Sequence, residues 1–515
     1  MTSAHDRIDA PSLWGHIVTR AAATPAATLA VDETGRSITF GDYLAACEKA
    51  AAGLAELGVG EGTAVSWQLP TWIESLVLVG ALCRLGAQQN PLLHIYRDRE
   101  VGFALQQTQA KLMVVPSTWR NFDFADMARR LAPAGCSVLV VDRQLPQGAP
   151  SSLPDVPVSD GNQMRWVFYT SGTTADPKGA KHTDRTIRAA AMGMVDPLDV
   201  TSSDRSALVF PFTHIGGICW LYAALITGCE LVIDEGFGPA TVEYLRREDI
   251  TLAGSGTAFH QLYLAEQRKL AAGERLFPSV RAYPGGAAPK PPQLHFDLKA
   301  EIGGVGIVSG YGLTECPILS MASVHDSDDE LAHTEGKPTA GVDLHVVTAD
   351  GSLAEPGDGR DGEIRVKAPQ LFLGYLDSSL DAAAFDADGY FRTGDLGRQD
   401  ALGNVIITGR LKDVIIRKGE NISAKEVEDV LYGHPKIADV AVIGLPDPAS
   451  GERACAVVSC KDGVDPLTFD EMVSFCKGAG LMVQKIPEQL ELVDIVPRNP
   501  AGKVLKNDLR QRYGG

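Results

Sequence analysis

Short apolar runs alternate with amphipathic stretches along most of the chain. Lys111–Val115, Ser137–Val141 and Arg165–Tyr169 are brief, valine-bearing runs, as expected of strands buried on both faces of a parallel sheet. Between such runs, Ile38–Leu57, opening with Thr39, and Trp72–Leu85 place apolar residues at helical spacing. This alternation predicts layered α/β packing. The most apolar stretch, Ile215–Cys229, meets Glu230 before reaching the roughly 18 to 20 residues that a membrane helix needs. It reads instead as a buried helix leading into a strand at Glu230–Asp234, and no integral membrane segment is expected.

Beyond about Glu330 the texture changes. Closely spaced Gly, Pro and Asp punctuate short strands at Asp343–Val347, Glu363–Val366 and Asn404–Thr408, which suggests a small β-rich portion. After Arg410, a helix at Ala424–Tyr432 and strand-like segments at Ala438–Ile443 and Ala454–Ser459 suggest a separate small α/β unit.

Composition narrows the function. The chain has 515 residues, 45% hydrophobic and 22% charged, enough to bury a large core in more than one domain. A formal net charge of −18 argues against nucleic-acid partners, because a phosphate-binding surface needs clustered Lys and Arg. Anionic substrates must then be held by local sites. Nine scattered cysteines, with no CxxC pair and no Cys/His cluster at metal spacing, suggest neither a disulfide framework nor zinc, and fit a reducing cytoplasm. Met1–Pro11 carries charges and no apolar signal core, so secretion is not expected.

The first chemical signal is Tyr169-Thr-Ser-Gly-Thr-Thr-Ala-Asp-Pro-Lys-Gly179, directly after a strand-like run. Small hydroxyl residues around Gly172 let backbone N–H groups and the side chains of Thr170, Ser171, Thr173 and Thr174 face one concavity, while Lys178 adds a point charge. That is a phosphate cradle, but not a Walker A loop, because Gly179 follows Lys178 where Ser or Thr would contact magnesium. Further along come Tyr311-Gly-Leu-Thr-Glu315, Tyr390-Phe-Arg-Thr-Gly-Asp395, Gly409-Arg-Leu-Lys-Asp-Val414, Lys418-Gly-Glu-Asn-Ile422 and Pro497-Arg-Asn-Pro-Ala-Gly-Lys503.

In this order and over most of the chain, these six motifs resemble the signature of the adenylate-forming superfamily, which includes acyl-CoA synthetases, peptide-synthetase adenylation domains and luciferases. Ala175 departs from it, standing where the family's loop usually has Gly, but no ligand is lost. The resemblance implies a large N-terminal domain (1–409), a hinge (410–412, with Lys412 at the matching position) and a small mobile C-terminal α+β domain (413–515). It implies an ATP-dependent ligase that adenylates a carboxylic acid and passes the acyl group to coenzyme A.

Residue chemistry agrees with the implied roles. Tyr311 can stack on adenine beside Gly312, Thr314 can donate to a phosphate or carboxylate oxygen, and Glu315 can hold magnesium. Taken alone, Glu315 reads as a solvated loop carboxylate and Tyr311 as a core aromatic; the ordered company they keep argues otherwise. The resemblance also gives Thr170 a magnesium contact. It matches Gly286, Ala287 and Ala288 to a bare turn against adenine and the acyl group, and Asp395 and Arg410 to the ribose-binding pair. Lys418 and Gly419 match the face along which the pantetheine arm passes. Lys503 matches the lysine that bridges acyl carboxylate and phosphate during adenylation. The implied catalytic set is Lys503, Thr314, Glu315, Thr170 and Lys178.

Phe210-Pro-Phe-Thr-His-Ile-Gly-Gly217 resembles the motif flanking the acyl pocket, with His214 as a gate or, alternatively, a structural histidine. Gly216, Gly217, Gly254, Ser255, Gly256, Ala287 and Gly310 are small, which suggests room for a wide acyl group. No charged residue marks a partner for an amino group. Together with Asn90-Pro-Leu-Leu-His-Ile-Tyr-Arg97, this resembles bacterial ligases for alicyclic, steroid-derived or medium-chain fatty acids. A homodimer is compatible with the resemblance. Two alternatives stay open: an acyl-AMP ligase that loads a carrier-protein thiol, and a non-catalytic nucleotide-binding protein on the same fold.

Overall fold

The computed structural model describes residues 7–514 except 171–176, 255, 287–289, 418–419, 449 and 499–502. Among the described residues, a six-stranded sheet carries Ala64–Trp67 at its centre. Gln88–Pro91 and Met164–Thr170 lie on one side of it and Leu112–Val115 and Ser137–Val140 on the other, all parallel. Lys178–Thr183 closes the edge antiparallel to Met164–Thr170. The interior strands are buried on both faces, which explains the continuous apolar run of Leu112–Val115, whereas Gln88–Pro91 buries the polar side chains of Gln89 and Asn90.

A second sheet joins Arg205–Leu208, Glu230–Ile233 and Thr28–Asp32 in parallel, with Ser37–Thr39 antiparallel at the edge. Parallel bridges from Ser206 to Leu252 and from Leu252 to Ala282 extend it toward Tyr283–Gly285, itself parallel to Ile307–Tyr311. Helices Phe40–Glu56, Ile73–Leu85 and Ile215–Thr227 share one apolar core with residues of both sheets. The last of these is buried almost all round, as its unbroken apolar sequence requires, and Gly228 stops it at φ 82°, a left-handed conformation that glycine adopts without strain. Among the described residues no helix is long and apolar enough to cross a membrane.

Two expected boundaries shift for local reasons. The helix expected from Ile38 begins at Phe40, because Ile38 pairs with Ala30 in a strand and Thr39 caps the helix by accepting the Asp42 N–H at 3.1 Å. The strand expected at Asn404–Thr408 runs instead over Val405–Arg410, prolonged by pairing of Gly409 with Leu396 and Arg410 with Asp395. It completes an antiparallel sheet with Leu353–Ala354, Asp343–Val347, Gly362–Lys367 and Phe391–Gln399.

After the 3₁₀ turn Leu411–Asp413, a further sheet forms around the long hairpin Ile437–Asp447 and Gly451–Cys460. Among the described residues, its apolar core, including Ile415, Val427, Val440, Val458 and Met472, contains none from before the turn. The hairpin strands outrun their expected lengths because the ladder continues through Leu445 opposite Arg453, Pro446 opposite Glu452 and Asp447 opposite Gly451.

Leu221 lies wholly buried in Ile215–Thr227. Leu221→Ala is expected to cost about 2–5 kcal/mol through lost contacts and a residual cavity. Calorimetry should show the transition of the larger body moving down while that of the C-terminal unit stays in place.

Candidate active site

Parallel strands release the chain at one edge, where open α/β sheets gather their ligands. Here that edge collects the motif residues. Strand Arg205–Leu208 leads to Phe210–His214, Leu252 to Gly254 and Gly256, Tyr283–Gly285 to Gly286, and Ile307–Tyr311 to Gly312, Thr314 and Glu315. Strand Met164–Thr170 ends on Thr170, and the returning strand sets Lys178 directly opposite it. Ser171, Gly172, Thr173, Thr174, Ala175, Ala287, Ala288, Lys418 and Gly419 lie outside the described residues.

One polar node centres on Asp395, which is 2% exposed. Arg410, its cross-strand partner, brings Nε to 2.8 Å from Oδ1, and the Tyr311 hydroxyl donates to Oδ2 at 2.7 Å. The Thr393 hydroxyl accepts the Asp395 N–H at 3.1 Å. A buried carboxylate needs such compensation. Lys503, far away in sequence, reaches this node. Burial, with Arg410 and then Lys412 as neighbouring cations, pulls its ammonium down to about 8 against the opposing pull of Asp395 and Asp413. Burial and Arg410 likewise pull Lys412 down. The C-terminal helix Lys506–Tyr513 is tied to the turn through Arg510 and Asp413 at 2.8 Å, and the Ser423 hydroxyl donates across the turn to the Thr408 carbonyl at 2.5 Å.

A second node surrounds Glu315. The Tyr375 hydroxyl donates to its Oε1 at 2.7 Å, and the Lys178 ammonium lies 5.3 Å from the centre of the Tyr375 ring. The other carboxylate oxygen meets no hydrogen-bond donor among the described residues. Its neighbour Thr314 is held through the main chain: its carbonyl lies 2.8 Å from His182 Nε2. Burial lowers the His182 pKa to about 4, so the ring is neutral and its Nε2 carries the proton toward that carbonyl.

His214 caps the helix Ile215–Thr227, its Nδ1 accepting the Gly216 N–H at 3.0 Å. Burial lowers its pKa to about 4, which leaves a neutral ring with the proton on Nε2. It lines a small, largely apolar cavity with Pro91, Leu93, Tyr96, Phe168 and Thr314. The Asn90–Arg97 segment and the His214 motif therefore meet.

The glycines require a correction. A Cβ on Gly217 would lie 2.6 Å from the Phe212 carbonyl oxygen, and one on Gly310 would lie 2.5 Å from Met321 Sδ and 3.0 Å from the Ser320 carbonyl oxygen. A Cβ on Gly286 would lie 2.6 Å from the Gly310 carbonyl oxygen, and one on Gly256 3.2 Å from that of Gly286. At Gly217, Gly286 and Gly310 the missing bulk is taken up by neighbouring atoms and so is not open space for an acyl group. At Gly216 the nearest atom is His214 Nδ1, at 3.1 Å.

Known proteins resemble this chain in sequence and fold. The profile of the AMP-binding enzyme family matches residues 17–376, and that of the AMP-binding enzyme C-terminal domain matches 426–503. The chain belongs to the AMP-binding enzyme family. It is 31% identical over 509 residues to a medium-chain fatty-acid–CoA ligase of Escherichia coli, covering 95% of this chain and 88% of that one. It is 34% identical over 349 residues to 3-[(3aS,4S,7aS)-7a-methyl-1,5-dioxo-octahydro-1H-inden-4-yl]propanoyl:CoA ligase of Rhodococcus jostii, covering 67% of this chain and 64% of that one. Among solved structures, the Bacillus subtilis o-succinylbenzoate coenzyme A synthetase bound to ATP and magnesium superposes with a TM-score of 0.81. It is 26% identical, and the match covers 96% of this chain and 98% of that one.

This AMP-binding enzyme is thus an AMP-forming acid–thiol ligase with the fold of its adenylate-forming relatives. Sequence reasoning missed three of its site neighbours: Tyr375, His182 and Lys290. Lys290 is buried and donates to the Ser309 hydroxyl and, at 2.6 Å, to the Thr334 carbonyl, fixing the end of the Gly286 turn to the strand that carries Tyr311. The available signals were faint: a glycine before an aromatic at Gly374-Tyr375, and a lysine in a proline-rich stretch. Tyr311→Phe should remove a hydrogen bond to a buried carboxylate and destabilise the larger body by about 1.5–3 kcal/mol, read as a lower denaturation midpoint at unchanged m-value.

Proposed function

We propose that the chain activates a medium-chain, alicyclic or steroid-derived carboxylic acid with ATP and transfers it to coenzyme A. In the first half-reaction the acid's carboxylate oxygen attacks the α-phosphorus of ATP while the bond to pyrophosphate breaks. In the second, the thiol sulfur of coenzyme A attacks the acyl carbon, losing its proton, and AMP leaves. No side chain becomes covalently attached. The observation that carries this reading is the convergence of Lys503 with Arg410 and Asp395, which sets a cation from the far C-terminus beside the proposed ribose carboxylate.

In this reading Asp395 and Arg410 hold the ribose, and the hydroxyl tether to Asp395 fixes the Tyr311 ring for stacking on adenine beside Gly286 and Gly312. Thr170, the loop after it and Lys178 take the phosphates, Thr314 donates to the reacting oxygens, and Lys503 bridges acid and phosphate. Glu315, with one oxygen engaged by Tyr375, suits a magnesium ion held by one or two carboxylates plus substrate phosphates, with Thr170 as a second contact. When bound, magnesium neutralises charge on the phosphate oxygens.

The small apolar cavity at His214 supports an aliphatic or alicyclic acyl group with His214 as its gate, and the acyl-site assignment of Gly216, Gly217, Gly256, Ala287 and Gly310 stays with the family resemblance. The named substrates of the Escherichia coli and Rhodococcus jostii relatives support the same acid classes. We read residues 1–409 as the N-terminal domain, 410–412 as the hinge with Lys412 at its pivot, and 413–515 as the C-terminal domain. Rotation about the hinge withdraws Lys503 and brings Lys418 and Gly419 to the path of the pantetheine arm. The nine thiols suit a reducing cytoplasm, and a homodimer is compatible with the reading.

Pyrophosphate and AMP release over a panel of fatty, benzoic, alicyclic and steroid side-chain acids, with and without coenzyme A, tests the reading. AMP and acyl-CoA that appear only with coenzyme A are expected. Pyrophosphate release without coenzyme A turnover on any active acid would point to a carrier-protein thiol instead, and no release at all to a non-catalytic protein. A second test is pH. Lys503 acts as its ammonium form, present below about 8, so ATP–pyrophosphate exchange should fall as pH rises through that value. Lys503→Arg, which stays charged, should flatten this alkaline limb, while Lys503→Ala should reduce exchange by roughly 10²–10³-fold.

A further inference from the structure

The segment from Phe372 to Leu376 lies across two of the motifs at once. The Phe372 N–H donates to the Glu315 carbonyl at 2.8 Å, and the Leu373 N–H to the Lys181 carbonyl at 2.8 Å. The Lys181 N–H donates back to the Gly374 carbonyl at 3.1 Å, and the Leu376 N–H donates to the Gly179 carbonyl at 2.8 Å. The segment thus acts as a short extra strand on Lys178–Thr183, with Tyr375 bridged to Ala180, while its first residue grips the main chain of Glu315.

The bend within it is specified locally. Gly374 has φ 99°, and a Cβ there would lie 2.6 Å from Asp381 Oδ2; Asp381 Oδ1 accepts the Tyr375 N–H at 2.9 Å. The Tyr375 ring packs edge-on to Phe372 at 4.8 Å and is 4% exposed. From this fixed position its hydroxyl reaches Glu315 Oε1 and its face receives the Lys178 ammonium.

We propose that Tyr375 is a positioning residue that couples the magnesium carboxylate to the phosphate lysine. Its hydroxyl fixes the Glu315 carboxylate and engages one oxygen, leaving the other for the metal. Its ring face is the resting place of Lys178, which leaves the ring when a triphosphate arrives. A hydrogen bond to a charged group is strong enough to set the carboxylate's orientation, whereas an ammonium resting on an aromatic face is held weakly enough to be surrendered to phosphate. One phenol thus prepares both groups for the magnesium nucleotide. The inference rests on the reading of Glu315 as the magnesium carboxylate.

Equilibrium binding of ATP by calorimetry, with and without magnesium and with no acid present, tests it independently of turnover. Tyr375→Phe keeps the ring and removes the hydroxyl. It is expected to weaken ATP binding in the presence of magnesium by about tenfold or more, the contribution of a hydrogen bond to a charged group, and to leave metal-free ATP binding unchanged. Tyr375→Leu also removes the resting place and should bind metal-free ATP about two- to fivefold more tightly than Tyr375→Phe. Glu315→Gln separates the two readings. It should abolish the magnesium-dependent gain, and adding Tyr375→Phe to it should then change nothing further.

A Tyr375→Phe protein that binds magnesium-ATP within twofold of the parent, while Glu315→Gln loses the gain, overturns the role of Tyr375 and leaves Glu315 in place. Retention of the full gain in Glu315→Gln overturns the reading of Glu315 itself. Metal-free binding equal in the Leu and Phe variants overturns the resting place of Lys178. Tyr375→Phe is close to isosteric, so an unchanged unfolding midpoint keeps the comparison free of a folding defect.

Discussion

A carboxylate taken almost completely out of water must be matched by donors, and at Asp395 the donors come from separate parts of the chain. Arg410 faces it across the last antiparallel ladder before the turn at Leu411–Asp413, and Tyr311 reaches it from the end of a parallel strand in another sheet. Two sheets of the molecule are therefore registered on one charge. Lys503 adds a cation from the C-terminal unit to the same neighbourhood, with its proton affinity lowered by burial and by Arg410. A rotation of that unit about the turn would carry Lys503 away while leaving Asp395 and Tyr311 in place, which is the property the proposed two-step reaction requires.

The rest of the site follows from the direction of the parallel strands. Because all of them release their chains at one edge, residues as distant in sequence as Thr170, His214, Gly286 and Glu315 need no special steering to meet. Glycine carries the close approaches at this edge. Gly217 and Gly286 stand where neighbouring backbone leaves no space for a side chain, and at Gly310 the Met321 sulfur lies closest. In the proposed reading, specificity for the acid falls to the side chains around the His214 cavity, where Leu93, Tyr96 and Phe168 supply apolar surface.

Much of this was legible in the sequence for identifiable reasons. Strands such as Leu112–Val115 announce themselves because burial on both faces favours unbroken apolar runs, and the helix Ile215–Thr227 because burial all round favours the same over a greater length; Gln88–Pro91, equally buried but polar, carries no such signal. The ordered motifs pointed to a nucleotide site because together they resemble the signature of the adenylate-forming superfamily; single motif residues, such as Glu315, read alone as ordinary loop residues. What was not legible depends on tertiary contact. Smallness at Gly217 and Gly310 suggested space, but a glycine reads the same whether a ligand or a neighbouring backbone lies against it. Tyr375 and His182 act through Glu315 and Thr314, distant in sequence, and an aromatic or histidine in isolation carries no sign of its partner. Strand ends shifted where a ladder partner, such as Asp395 for Arg410, prolonged the pairing.

The central claim is that Lys503 serves adenylation alone and is withdrawn for thioester formation. Single-turnover kinetics with Lys503→Ala test it most directly, comparing acyl-adenylate formation from acid and ATP with transfer from a presynthesised acyl-adenylate to coenzyme A. The account predicts that the first step collapses while the second keeps a rate within a few-fold of the parent. Equal loss in both steps would contradict it, since Lys503 would then act in one pose shared by the two reactions.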